Sequence, residues 1–101
     1  MTYADIWRLL GQLHDADDVV DGQVVQVVDG GLLVDVHGVR AILPLSRITG
    51  IWKYGHDDMV VQRALDEMLG TTIRVKLVEV SPPRANSKGR LVLDQKAAQA
   101  D

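Results

Sequence analysis

Apolar and polar residues alternate through residues 29 to 48, DGGLLVDVHGVRAILPLSRI, and the rest of the chain is arranged about this stretch. Leu32, Val34 and Val36 fall on one face, against Leu33, Asp35 and His37 on the other, which predicts a half-buried strand. Val39 to Leu43 is a second run of strand-forming residues, and His37-Gly38 supplies a tight turn between the two. Pro44 ends this hairpin, after which Leu45 to Ile48 can wind a single helical turn.

Upstream, Ile6, Leu9, Leu10 and Leu13 recur at helical spacing behind a Thr2 and Asp5 capping box, so residues 3 to 13 are expected to form an amphipathic helix with Trp7 beside its stripe. The acidic run from Asp15 to Asp18 lacks the glycine and terminal glutamate of a calcium loop and reads as a solvated linker. Val19 to Val28 is a strand in which Gly22 and an out-of-phase Val27 predict a bend or bulge, of the kind that lets one strand serve two sides of a barrel. Downstream, Val61, Ala64, Leu65, Met68 and Leu69 repeat at three and four behind Asp57 or Asp58 as cap, and Gly70 stops that helix. Thr71 to Val80 is a strand with Ile73, Val75 and Leu77 inward and Arg74 and Lys76 outward. Residues 81 to 89, SPPRANSKG, form a loop, and Arg90 to Asp94 is a last strand.

Three strands, a helix and two strands, with a helix in front, predict an all-β fold with small α additions. Its architecture is a five-stranded antiparallel Greek-key OB-fold barrel with an N-terminal helix and a helix between strands 3 and 4. The expected organisation is a helix and linker over residues 1–18, the barrel over 19–96 and a frayed tail over 97–101.

A chain of 101 residues suits one domain with one core. It has no cysteine, which excludes disulfides and thiolate metal sites and fits a cytoplasmic setting. The leading residues resemble neither a signal peptide nor a membrane span, so no membrane partner is expected, and the chain is read as a monomer. The formal charge of -3, from 11 basic and 14 acidic residues, opposes an approach to phosphates only mildly. Acids gather at Asp15, Asp17, Asp18 and Asp21 and again at Asp57, Asp58, Asp66 and Glu67, whereas the bases lie in strands and connecting loops, which leaves room for a basic face. His14, His37 and His56 are scattered, Ser46 has no nucleophile context, and Gly30-Gly31 is no phosphate loop. No enzyme, metal site or cofactor is expected.

With Val20-x-Gly22-x-Val24, Gly30-Gly31-Leu32-x-Val34-Asp35, Gly38-Val39-Arg40, Ile42-Leu43-Pro44-x-Ser46, Leu69-Gly70, Val75 to Val80 and Arg90 to Leu93 in this order, the chain resembles the S1 RNA-binding domain family. It looks most like a repeat of the bacterial ribosomal protein of that name. The resemblance implies single-stranded RNA bound across the second and third strands, with bases stacked on aromatics, and a role in translation or RNA metabolism as part of or beside the ribosome. Many family members carry Phe at the positions of Gly30 and Leu33 and His at that of Pro44, whereas this chain has no phenylalanine. Each lost stacking platform removes about 1 to 3 kcal/mol, so weak RNA binding is expected unless other groups replace them.

The candidate nucleic-acid-binding residues are Leu33, Arg40, Arg47, Trp52, Lys53, Tyr54, Arg74, Lys76 and Arg90. Trp52 and Tyr54 flank Lys53 and can grip a base and its phosphate together, although Trp52 can equally pack as core. The strand arginines and Lys76 can instead make cross-strand pairs with Asp35, Glu79 or Asp94. The rival reading is a degenerate repeat that docks on the ribosome or ribosomal proteins, with little RNA affinity.

Overall fold

The computed structural model describes residues 2–50 and 58–99. In chain order these form α1 (Tyr3–Asp15), β1 (Val19–Val28), β2 (Gly31–Val36), β3 (Val39–Pro44), a 3-10 turn (Leu45–Arg47), α2 (Asp58–Met68), β4 (Thr72–Ser81), β5 (Arg90–Asp94) and α3 (Gln95–Gln99). The strands close into a barrel in the order β1-β2-β3-β5-β4. Four of the pairings are antiparallel, and the closing contact of β3 with β5, at Ile42 and Val92, is parallel. α2 and β4 lie between those two strands in the chain and supply the crossover that a parallel pair needs.

The expected phase slip in β1 is a register shift between Val24 and Gln26 in its pairing with β2. Residues 19–23 of β1 pair with β4 and residues 23–28 with β2, so one bent strand does serve two sides of the barrel. Gly22 permits the bend: a Cβ there would run into Cγ1 of Val34 and press on Cγ2 of Val36 at 3.2 Å. Gly31 is constrained in the same way, since a Cβ would collide with the carbonyl oxygen of Leu43 on the neighbouring strand. The β2–β3 turn has φ of 53° at His37 and 87° at Gly38, the double positive φ of a two-residue type I′ hairpin, and the Gly38 N–H donates to Oδ1 of Asp35 at 2.9 Å.

The core alternates as the pattern requires. Leu32, Val34, Val36, Ala41, Leu43, Val75, Leu91 and Leu93 point inward, joined by Trp7 and Leu10 of α1 and by Val61 and Leu65 of α2. α1 begins at a complete capping box, in which Thr2 Oγ1 accepts from the Asp5 N–H and Asp5 Oδ2 accepts from the Thr2 N–H, both at 3.2 Å. The Thr2 backbone N–H, then its hydroxyl, holds the Asp5 carboxyl below the usual carboxylate value. Gly70, with φ of 79°, stops α2, and its N–H donates to the Val24 carbonyl at 2.8 Å, tying the helix end to β1.

Two expectations are corrected. The tail does not simply fray, because residues 95–99 wind into α3: Asp94 Oδ1 accepts from the Ala97 N–H at 3.0 Å, and buried Gln95 accepts from the Thr49 N–H at 2.9 Å. Lys76 does not stand out from β4. Both α1 and α3 pack on that strand, so its outward side chain is covered to 7% exposure, with Nζ 3.1 Å from Oδ2 of Asp17.

The close approach at Gly22 makes a direct test. Gly22→Val is expected to destabilise the chain by about 1 to 3 kcal/mol in urea unfolding, as overpacking does. Gly11→Ala, in α1 with open space around it, is expected to stabilise by about 0.5 to 1 kcal/mol. Equal stabilities for the two variants would contradict the packing of β1 on β2.

Candidate nucleic-acid interface

The outer surface of β2, β3 and β5 is a grid fixed by strand register. Its middle row runs Leu33, Ile42 and Val92, since Leu33 pairs with Ile42 and Ile42 with Val92. Leu33 and Ile42 are half-buried and Val92 is buried, yet Val92 lies outside the core cluster because it faces away from the barrel axis. Stepping two residues back along β3 and β5, and so forward along antiparallel β2, gives the row Asp35, Arg40 and Arg90, and the opposite step gives Gly31, Pro44 and Asp94. An apolar stripe flanked by a basic row thus covers the outside of these three strands.

The charges on this face are not equally engaged. Arg90 Nε lies 3.2 Å from Glu79, and Arg47 Nη1 lies 3.9 Å from Asp94. The Arg90 and Glu79 side chains are 69% and 47% exposed, so their pairing contributes no more than about 1 kcal/mol and yields readily to another anion. Asp35 is drawn to the turn amide of Gly38. Arg40 is exposed and, among the described residues, has no carboxylate within 4.0 Å. A shallow groove of about 400 Å³ runs beside the apolar stripe, between Pro44, Ser46 and Arg47 on one side and Val78, Glu79 and Arg90 on the other.

Of the residues expected to contact nucleic acid, the fold brings Leu33, Arg40, Arg47 and Arg90 to this one surface. It sends two elsewhere. Lys76 is consumed beneath α1 and α3, and Arg74 stands opposite Asp21 in the part of β4 that pairs with β1, on the acidic side of the barrel. Trp52, Lys53 and Tyr54 lie outside the described residues. Sequence reasoning missed Ile42 and Val92. Alternation marks both as outward-facing, but only the parallel closure of β3 on β5 aligns them with Leu33.

A family model for the S1 RNA binding domain matches residues 13–88. The chain belongs to the S1 RNA-binding domain family. Among curated proteins it is 32% identical over 84 residues to small ribosomal subunit protein bS1 of Mycolicibacterium smegmatis, covering 83% of this chain and 15% of that protein. It is 35% identical over 86 residues to bS1 of Leuconostoc lactis, covering 82% and 16%. It is 30% identical over 99 residues to bS1c of Spinacia oleracea, covering 98% and 20%. The chain therefore spans a fifth or less of the length of these relatives. Gly30, Leu33 and Pro44 are the positions at which the resemblance implies aromatic and imidazole rings, and of these Leu33 and Pro44 lie on β2 and β3. Gly30 has φ of 84°, so that position is set by its backbone and a ring there would be strained.

The orientation of β2 can be tested without a ligand. Leu33→Ala should cost less than about 1 kcal/mol, whereas its inward neighbour Leu32→Ala should cost about 2 to 5 kcal/mol in chemical unfolding. The reverse order would place Leu33 in the core and remove it from the face.

Proposed function

We propose that this domain binds single-stranded RNA across the outer face of β2, β3 and β5, in translation or RNA metabolism as part of or beside the ribosome. The observation that carries the reading is the convergence of Arg40, Arg47 and Arg90 around the Leu33, Ile42 and Val92 stripe, in a chain of the S1 family. Phosphates engage the guanidinium groups, and bases lie against the aliphatic stripe. Aliphatic side chains give a base contact area without an aromatic face, so affinity on this surface is lower than that of a stacking platform. Membership of the family and the ribosomal relatives support the RNA and ribosome association; catalysis forms no part of the reading.

The second reading, a ribosome-docking module with little RNA affinity, is favoured by one feature: the stripe is apolar where a stacking surface is expected. The two separate by salt. If three phosphates are neutralised at Arg40, Arg47 and Arg90, log K for a short single-stranded RNA should fall with log salt at a slope of about -2, and each Arg→Ala change should reduce it by about 0.7. Arg74→Ala should leave the slope unchanged. Absence of RNA binding at low salt would transfer the face to the docking reading.

Trp52 and Tyr54 carry the same proposal from the sequence alone. Trp52→Ala should weaken RNA binding by about 1 to 3 kcal/mol with the fold intact, and RNA should quench the Trp52 fluorescence. Loss of folding in Trp52→Ala, without RNA binding by the parent, would make Trp52 a core residue.

A further inference from the structure

A second groove, of about 310 Å³, opens where the β2–β3 turn, the start of β5 and the first turns of α1 meet. It brings Tyr3 and Trp7 together with Arg40, Lys88 and Arg90. Arg90 also lines the groove beside the apolar stripe, so one residue borders both hollows.

Charge, ring and an unmet donor coincide here. Arg40 and Arg90 each lie two residues before the paired Ile42 and Val92 on the parallel strands and line the same groove, and Lys88 adds a third cation from the β4–β5 loop. Among the described residues neither Arg40 nor Lys88 has a carboxylate partner. Cations crowded together repel, and an anion seated among them relieves the repulsion. Tyr3 is 56% exposed, the one exposed aromatic among the described residues. Its ring is braced edge-on by Trp7, with centroids 6.2 Å apart at 76°, and Trp7 is itself only 5% exposed. The ring is therefore held while leaving surface free. Trp7 lines the groove, and its Nε1 is buried with no hydrogen-bond acceptor among the described residues.

We propose that this groove is a nucleotide subsite: a base stacks on Tyr3, and its phosphate lies among Arg40, Lys88 and Arg90. The volume is at the lower end of small-ligand pockets and suits one nucleotide. The inference rests on the RNA-binding reading and extends the path of the strand from the β2–β3–β5 face past the hairpin turn onto α1. Tyr3, the stacking ring of the subsite, lies outside residues 13–88 that match the family model.

The experiment is a titration of the full chain with a single-stranded RNA of about ten nucleotides, long enough to reach both grooves, read by fluorescence anisotropy and by the Trp7 indole N–H resonance assigned through Trp7→Phe. Tyr3→Ala is expected to weaken binding about 5- to 150-fold, and Tyr3→Phe, which keeps the ring, to stay within about twofold of the parent. Lys88→Ala should lower the salt slope by about 0.7. The Trp7 indole resonance should move on RNA addition to the parent. Should Tyr3→Ala fail to fold, Lys88→Ala and the indole resonance decide. If Tyr3→Ala binds like the parent while Arg47→Ala weakens binding, RNA remains on the strand face and the subsite is refuted alone. If the parent binds no RNA, the subsite falls together with the RNA reading, and an acidic peptide that shifts the indole resonance instead would assign the groove to a protein partner.

Discussion

The parallel contact of β3 with β5 is the constraint on which the outer surface depends. Until it forms, the hairpin of β2 and β3 has a free edge, and Arg40 and Ile42 have nothing to align with. Once Ile42 stands beside Val92, period-two alternation on both strands fixes the rest: apolar beside apolar, arginine beside arginine. The inner face is fixed at the same moment, since Ala41 and Leu43 then meet Leu91 and Leu93 in the core. Core packing therefore holds the backbone of Arg40 and Arg90 in place on the outer face.

Reaching that closure requires the barrel to turn sharply at β1, and glycine makes the turn possible. Gly22 lets β1 pass close over Val34 and Val36, and the register shift after Val24 turns the strand from β4 towards β2. A larger residue at position 22 would press on Val34 and Val36 and hold β1 off β2. The functional surface thus depends on residues that never touch it.

Much of this was legible in the sequence because it is local. Strand alternation, the Thr2 and Asp5 cap, the His37-Gly38 turn and the phase slip in β1 each depend on neighbouring residues, and each is present in the fold. What depends on packing at long range was not. Alternation gives Lys76 its outward direction but cannot reveal that α1 and α3 lie on that side of β4. Nor does a short polar tail disclose that Gln95 finds the Thr49 amide and is thereby held as helix. The meeting of Tyr3 with Arg40 and Lys88 is of the same kind, made by docking one helix end against a turn and a loop that are remote in the chain.

A net charge of -3 is no obstacle to a phosphate-binding face when the charges are segregated. The acids gather in the linker after α1 and in α2, and Asp17 is occupied with Lys76. At about 0.15 M salt the screening length is about 8 Å, so an approaching phosphate responds chiefly to the guanidinium groups within that reach and little to the far side of the barrel. The acids that do share the face are engaged locally, Asp35 by the turn amide, Glu79 by Arg90 and Asp94 by Arg47 and the cap of α3. Local pairing lowers the competition for Arg40 and Lys88, and these two cations line the same groove as the braced ring of Tyr3.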